Sequence, residues 1–323
     1  MPPLDPLSLP HHTLRQLLAE GAPVYVPVNP VEYHGPHLSL HNDRLISAGI
    51  IRDLAEGQAH PLVIPDLEVG VDPVPGPGSR ATSFRTVRDL TWRACASLAE
   101  LGARRIVLVT FHGAPLHARA LQDVIVRLGR GGVRAINPLN LLMQDLLDGD
   151  IGPWTPAFDS IPDPMDRAAA LADLSGDFHA GCFETSVALH YAPDSVHSAY
   201  GSLPPCPEVH VPAWAGALVG AAKRLGRHRF AAELGFAGLG VAWYHHRPFC
   251  GYTGRPHLAR PEIGAWFARA MVARFVPRVR AVLEGEEAPP APILSWLGPL
   301  TLGGWIPGPS VAANERTAPP RWR

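Results

Sequence analysis

The sequence is short of cysteine, of net charge and of long apolar runs, and each shortage excludes a class of protein. Its four cysteines are scattered and include no CxxC pair, which is too few for a disulfide-built fold of 323 residues and predicts a reducing, intracellular setting. The formal net charge of −1 leaves no basic field that would attract nucleic acid or an acidic membrane surface. A small molecule is therefore the expected partner.

The beginning of the chain lacks the cationic and apolar regions of a secretion signal. The longest apolar stretch, near residues 211–222, is interrupted by glycine and is too short to span a bilayer. These absences predict a soluble, cytoplasmic protein. The hydrophobic content of 46% is enough for one sizeable core.

Short apolar runs alternate with segments of helical periodicity along the first half of the chain. The predicted strands are 22–28, 61–65, 105–110 and 132–137, and the predicted helices between them are 43–56, 86–101 and 116–128. Strands that alternate with helices form parallel sheets covered on both faces. We therefore predict an α/β fold with three layers, α/β/α, and a mainly parallel sheet.

Three potential metal ligands follow the first strand within residues 27–43. If the chain leaves the strand extended, Glu32 and His34 point the same way, because residues two apart share a face. Gly35 and Pro36 then allow the chain to turn back and bring Asp43 to the same place. A carboxylate with an imidazole suits Zn²⁺, Mn²⁺ or Fe²⁺, and a second carboxylate can bridge two ions. The alternative is a polar loop and a helix cap by Asn42 or Asp43.

Two further clusters carry candidate residues. His112 follows the strand 105–110 and precedes a helix, at the sheet edge where open α/β folds bind ligands. In the cluster 177–186, His179 precedes a helix and Glu184 lies in its first turn. The alternatives are a hydrogen-bonded loop histidine at His112 and a carboxylate at Glu184 that only complements the helix dipole.

Other histidines are candidates for supporting roles. His37 is expected to hydrogen-bond a ligand carboxylate rather than to bind metal. His245 and His246 follow a strand-like run at 240–244, and neighbouring strand residues point to opposite faces. Only one of these two could therefore line a pocket.

Together the three clusters resemble the creatininase, or creatinine amidohydrolase, family. Residues 32–38 fit its Glu-x-His-Gly-x-His-Leu pattern, with Ser39 in place of the usual Pro and Asp43 following. Residues 179–186, HAGCFETS, match its late motif outright. The central motif keeps only His112 and the glycine after it. The resemblance extends from about residue 22 to residue 275.

The resemblance implies a hydrolase with two divalent ions per chain (Zn, Mn or Fe). Glu32, Asp43 and His112 would hold one ion, and His34 with the bridging Asp43 would hold the other. In creatininase proper the second ion also takes a Glu two residues after the central His, whereas many relatives have Gly there; here that residue is Ala114, so Glu184 is expected to complete the site.

The implied reaction is attack of a metal-activated water on a non-peptide C–N bond, in a cyclic amide or a formamide. His179 is the expected proton shuttle, with Glu184 as the second catalytic residue. The eroded central motif leaves a non-catalytic binding or scaffold protein as the alternative. The resemblance also implies a homo-oligomer, and a hexamer is the assembly that family members commonly form.

The expected domain is 1–282, in which 203–247 is longer than the family needs and is a possible insertion. A Pro-rich C-terminal tail, 283–323, has no counterpart in the family pattern and is expected to be loose or to form an oligomer contact.

Overall fold

The computed structural model describes residues 3–58, 60–149, 151–302 and 306, and its centre is a parallel sheet. The described strands are β1 (Val24–Pro27), β2 (Leu62–Val63), β3 (Arg105–Val109) and β4 (Arg134–Ile136). Their order is β2-β1-β3-β4, and every neighbouring pair is parallel. The strands are buried apolar runs, as expected where helices cover both faces of a sheet.

Helices make up most of the remaining described structure. They are α1 (His11–Ala19), α2 (Asn42–Leu54), α3 (Phe84–Leu101), α4 (Pro115–Arg130), α5 (Leu139–Asp148), α6 (Pro164–Asp173), α7 (Cys182–Tyr191), α8 (Ala213–Arg224), α9 (His228–His245), α10 (Pro261–Glu284) and α11 (Leu297–Leu300). Short 3-10 helices span Pro6–Ser8, Gly152–Ser160, Leu174–Gly176, Pro193–Ser195, Ser198–Ser202 and Pro256–Leu258.

Alternate side chains of the strands enter two separate cores. Val24 and Val26 of β1 pack in one core with α1, α3 and α4. Tyr25 and Val107 face the other way and pack with α2, α7 and α10. This alternation is the two-residue period of a strand, and it confirms the predicted three-layer α/β/α fold.

Helices α7 and α10 meet closely enough that their backbones touch. A Cβ added at Gly264 would overlap the carbonyl oxygen of Ser186, which belongs to α7. Because only glycine lacks a Cβ, Gly264 is the residue that permits this approach.

Two local predictions are wrong. Residues 240–244 are part of helix α9 rather than a strand, because the run extends an Ala- and Leu-rich segment that packs against α8. Helix α2 begins after His41 without a side-chain cap, since Asn42 and Asp43 direct their side chains to the site described below.

Two further expectations concern the insertion and tail of the chain and the absence of a membrane-spanning helix. The proposed insertion and tail boundaries remain predictions, and residues 303–305 and 307–323 of that tail lie outside the described part of the chain. None of the described helices is both long enough and apolar enough to cross a membrane.

Candidate metal centre

The sequence-predicted ligands meet at the carboxyl ends of β1 and β3, which are neighbours in the sheet. Glu32 and His34 lie on the segment that leaves β1, Asp43 on the first turn of α2, and His112 just beyond β3. Glu32, His34 and Asp43 are each only 1% exposed. The topology of the sheet thus buries several ionisable groups together, which requires that their charges be compensated.

Glu32, Asp43 and His112 form a first group of ligand atoms. The Nδ1 atom of His112 lies 2.8 Å from Glu32 Oε2 and 3.7 Å from Asp43 Oδ2. One ligand atom from each of the three residues falls within 4.8 Å of the others, a spacing that can hold a metal ion.

His34, Asp43 and Glu184 form a second group with the same spacing. The Nε2 atom of His34 lies 3.2 Å from Asp43 Oδ1 and 3.3 Å from Glu184 Oε1. Ala114 precedes α4 and has no ligand atom to offer, and the carboxylate of Glu184 arrives from α7 instead. Asp43 belongs to both groups, with one oxygen near each histidine.

The hydrogen bonds of the two histidines fix which ring nitrogen faces the carboxylates. His34 Nδ1 lies 3.1 Å from the carbonyl oxygen of Glu32, and His112 Nε2 lies 2.8 Å from that of Val71. A carbonyl only accepts, so these nitrogens donate their protons to it, and in the neutral rings the other nitrogens carry lone pairs. This arrangement of backbone acceptors is typical of metal-binding histidines.

Two buried carboxylate oxygens support the same assignment. Glu32 Oε2 and Asp43 Oδ2 have no hydrogen-bond partner among the described residues. Buried oxygens facing bare imidazole nitrogens form a donor set that fits a divalent cation such as Zn²⁺ or Mn²⁺.

In the metal-free chain, protons on the two imidazole rings balance the negative charges of the neighbouring carboxylates. Burial opposes charge on both rings, but Asp43 and Glu184 raise the pKa of His34 well above its ordinary value, and Glu32 raises that of His112 to about 9. Burial would likewise raise the pKa of Glu32, yet the two facing imidazoles lower it. Burial raises the pKa of Asp43. A bound cation would replace these protons.

Glu184 is oriented by two donors. The Asn42 amide donates to Glu184 Oε1 at 2.8 Å, and the N–H of Ala180 donates to Oε2 at 2.5 Å. Ala180 has a φ of +48°, a left-handed conformation that is unusual for a residue with a Cβ and is typical of functional sites. Sequence reasoning missed the role of Asn42, although its position beside Asp43 was a signal.

Asn29 is a second residue that the sequence did not reveal. Its Oδ1 accepts hydrogen bonds from the N–H of Phe111 and the hydroxyl of Ser47, and its amide nitrogen donates to Asp66. Asn29 thereby ties the end of β1 to the end of β3 and to α2, which carry the ligands.

His179 lies directly against these two ligand groups, and with Glu32 and His34 it forms a third group of the same spacing. Its ring stacks on that of His34, with 4.4 Å between the ring centres, and its Nε2 donates to the carbonyl oxygen of Tyr33 at 3.0 Å. Burial, with the neighbouring His34, lowers the pKa of His179 to about 3. His179 is therefore a neutral ring whose Nδ1 is free of a proton.

The prediction for His37 is wrong, and neither His245 nor His246 lines the cavity. His37 Nε2 contacts the hydroxyl of Thr185 at 2.9 Å rather than a ligand carboxylate. His245 is exposed and His246 is partly exposed. Neither of them belongs to the described residues that line the cavity, because α9 ends with them on its outer side.

A cavity of about 60 Å³ opens onto the ligand groups. Apart from His179, Ser175 and Asp177, its remaining lining side chains are apolar and come mainly from α5, with single residues from α9 and a C-terminal segment among the others. The reacting part of a ligand would therefore meet the polar ligand groups at one end and hydrocarbon at the other.

Comparison with protein families matches residues 8–279 to the model described as Creatininase, creatinine amidohydrolase. A curated relative, the mycofactocin precursor peptide peptidase of Mycolicibacterium smegmatis, is 30% identical over 200 residues. That alignment covers 59% of this chain and 66% of the relative, just under two thirds of the relative's length.

Solved structures of creatininases are similar in fold. One described as "Creatininase Mn" has a TM-score of 0.56 and 18% identity, and the aligned region covers 86% of this chain and 98% of the creatininase chain. A mutant creatininase described as Zn-Zn type has a TM-score of 0.57 and 17% identity, and covers 87% and 98%. Because the family model matches most of this chain, residues 8–279, the chain belongs to the creatininase family, a family of hydrolases.

Proposed function

We propose that the protein is a hydrolase that cleaves an amide C–N bond with the help of two divalent metal ions. The observation that carries the proposal is the shared carboxylate. Asp43 presents Oδ1 to His34 and Oδ2 to His112, and it belongs both to the group with Glu184 and to the group with Glu32. A bridging carboxylate between two ligand groups is the arrangement that a two-metal site requires.

Glu32, Asp43 and His112 would hold one ion, and His34, Asp43 and Glu184 the other. Two such ions supply a nucleophilic hydroxide at neutral pH and polarise the amide carbonyl. The chain's own contribution is to bury the five ligands, to orient His34 and His112 by backbone acceptors and Glu184 by two donors, and to surround them with the mainly apolar lining of the cavity.

His179 would move the proton that the departing nitrogen needs. Its ring is held by the hydrogen bond from Nε2 to Tyr33 and by stacking on His34, and one of its ring nitrogens lies within 4.8 Å of ligand atoms of Glu32 and His34. A neutral buried imidazole can accept a proton there and pass it on. Glu184, fixed by Asn42 and Ala180, would keep the second ligand group in place during that transfer.

The size of the cavity favours a compact substrate. Ligand pockets commonly enclose about 300–1,000 Å³, whereas this cavity is about 60 Å³. A cyclic amide or a formamide with a small substituent is therefore the favoured class. The relative named as a peptide peptidase favours a second candidate, trimming of a peptide, which would require the cavity walls to move. A non-catalytic binding protein is the remaining alternative.

The decisive measurement is metal content per chain, by plasma mass spectrometry, for the wild type and Glu184→Ala. We expect about two ions in the wild type and a fall towards one in the variant, because Glu184 belongs to only one ligand group. Glu262→Ala is the matched control, since Glu262 also lies in the first turn of a helix but is exposed. No bound metal after addition of Zn²⁺, Mn²⁺ or Fe²⁺ would refute the hydrolase.

The substrate class is tested on the metal-loaded protein with three sets of compounds: cyclic amides, formamides and short peptides. Release of amine from the first two sets supports the favoured class. Cleavage of peptides alone supports the second candidate, and binding without any turnover supports the non-catalytic alternative.

A further inference from the structure

A C-terminal segment, residues 288–297, reaches the cavity although the family match ends at residue 279. It is fastened to α5 by two side-chain amides. Asn140 donates to the carbonyl oxygen of Pro290 at 3.0 Å, and Gln144 donates to that of Ala291 at 2.6 Å. The segment therefore follows one wall of the site.

Glu233 of α9 fastens the same segment from the other side. Its two carboxylate oxygens accept from the N–H of Leu294 at 3.2 Å and from the indole N–H of Trp296 at 2.7 Å. A nearly buried carboxylate with two donors from one segment holds that segment firmly.

These anchors place Ile293 against the cavity. Ile293 is 3% exposed, and Phe236 of α9 also lines the cavity. Outside the metal ligands and His179, the described polar side chains of the lining are Ser175 and Asp177. The rest of the lining, mainly from α5, offers hydrocarbon surface to whatever enters.

We propose that Ile293 and Phe236 close an apolar subsite which selects amide substrates with a compact hydrocarbon group. The proposal rests on the proposed function, because it needs the metal ligands to bind the amide at the other end. Position 293 would set the length of the group that fits, since its backbone is anchored on both sides.

Straight-chain alkyl hydroxamates test this subsite, because their head group chelates metal and their tail length is varied freely. The full chain is loaded with zinc, and its affinities for acetyl, butyryl and hexanoyl hydroxamates are measured by calorimetry. We expect affinity to rise about fourfold per added methylene until the subsite is full. A succinic analogue with a charged tail should bind more weakly than the butyryl compound.

Variants at position 293 should move the preferred length in opposite directions. Ile293→Ala is expected to shift it to longer tails and Ile293→Phe to shorter ones. Leu300→Ala is the matched control, since Leu300 follows the same segment but is exposed. If the Ala variant fails to fold, Ile293→Val with a smaller shift serves in its place.

The outcomes separate the two proposals. Equal affinity for all tails, or tail preferences that position 293 leaves unchanged, would overturn the apolar subsite while the metal site stands. If the zinc-loaded protein binds none of the hydroxamates, or if the protein binds no zinc, both the proposed function and the subsite are overturned.

A second, independent observation concerns two thiols. Cys206 and Cys250 are 44 residues apart in sequence, yet their sulfur atoms lie 3.7 Å apart in a partly buried position. The other two cysteines, Cys95 and Cys182, are buried free thiols and form no disulfide with each other. Hydrogen bonding with Cys206 lowers the pKa of Cys250, which favours the thiolate at that position.

The thiol pair is connected to the metal centre through the turn that follows Cys250. The N–H of Cys206 donates to the carbonyl oxygen of Gly254, and the N–H of Thr253 donates to that of His179, each at 2.8 Å. A covalent link between the two sulfurs would therefore fasten the turn that positions His179.

We infer that Cys206 and Cys250 are a reversible disulfide pair that responds to peroxide. The Cys250 thiolate attacks one peroxide oxygen, which gives a sulfenic acid and releases hydroxide. The Cys206 sulfur then attacks the sulfenic sulfur and displaces its oxygen as water. The two thiols are oxidised by two electrons and one hydrogen peroxide is reduced to two waters.

Intact-mass and peptide mapping after brief exposure to hydrogen peroxide test the pair. We expect a loss of about 2 Da, a linked peptide containing Cys206 and Cys250, and reversal by dithiothreitol. Cys206→Ser should instead leave a sulfenic acid on Cys250, and Cys95→Ser should leave the disulfide unchanged. Overoxidised Cys250 without any linked peptide in the wild type would overturn the inference.

Discussion

The two ends of the cavity are built in opposite ways. The metal end consists of buried ionisable groups carried by strand ends and first helical turns, and backbone acceptors fix the orientation of its two histidines. The apolar end consists of side chains from α5, α9 and the segment 288–297. Ligand geometry at the first end is set by the sheet, whereas the second end depends on helices and on a segment beyond the family match.

The difference indicates that the two ends have separate roles: one fixes the positions of the metal ligands, and the other supplies apolar surface. Groups that must be placed to within a fraction of an ångström lie on the rigid sheet edge, where parallel strands bring them together. Groups that only supply surface lie on elements that can change without disturbing the ligands. Substitutions at the metal end should therefore change metal content or the chemical step, and substitutions at the apolar end should change only substrate preference.

The largest effect is expected for Asp43→Asn. The amide keeps the shape but removes the charge shared by both ligand groups, so both ions should be lost together with all hydrolytic activity. Metal analysis measures this directly. Asp53→Asn, at the far end of the same helix, should retain both ions, and retention of two ions by Asp43→Asn would contradict the bridged site.

His179→Asn should separate chemistry from metal binding. Loss of a proton-transfer group is expected to lower kcat by roughly 10²–10⁴-fold. Metal content should stay at the wild-type value, since His179 is not among the proposed ligands. His245→Asn is the exposed control, and loss of metal from His179→Asn would show that this ring is a ligand instead.

The stability of the metal-free protein should fall as the pH rises from about 7 to 9. His112 has a folded-state pKa of about 9 and that of His34 is also raised. A raised folded-state pKa contributes stability that is complete below the unfolded value near 6.5 and is lost as the pH rises through the folded value. For His112 alone the loss in the free energy of unfolding is on the order of 3 kcal/mol.

Urea unfolding of chelator-treated protein at several pH values measures this loss. Metal-loaded protein is the comparison, because bound cations replace the protons and should remove the decline over the same range. A metal-free protein that is equally stable at pH 7 and pH 9 would contradict the pairing of protonated imidazoles with carboxylates.

The smallest effect is expected for Asn42→Ala, which removes the amide that orients Glu184. Loss of a partner behind a metal ligand typically lowers metal affinity by 10–100-fold. Competition with a zinc-binding dye measures the affinity. Asn137→Ala is the matched control, because Asn137 is equally buried just beyond β4 and bonds Leu139 rather than Glu184.

The positions that share the metal end were predictable from the sequence. Glu32, His34 and His112 follow apolar strands closely, and parallel strands necessarily align their carboxyl ends. Gly35 and Pro36 signalled the turn that brings Asp43 back to the same place. The three-layer fold followed from the same alternation. Glu184 was the uncertain member, because nothing local distinguishes a metal ligand from a carboxylate that complements a helix dipole.

The residues that support the site and those that shape the cavity were not predictable in the same way. Asn29 acts by joining β1 to β3, a long-range contact that leaves no local pattern. Ile293 reaches the cavity only because Asn140, Gln144 and Glu233 hold its segment. The run at 240–244 was mistaken for a strand because short apolar runs fit both periods, and length alone distinguishes them.

The contact of Gly264 with Ser186 makes α7 and α10 a single rigid unit, and α7 carries Glu184. Gly264 itself contributes no atom to the cavity lining among the described residues. A methyl group at that position would push apart two backbones and move a metal ligand with one of them. In a survey of every position of this chain, Gly264 should therefore tolerate substitution as poorly as the residues that perform the reaction, although it has no reactive group.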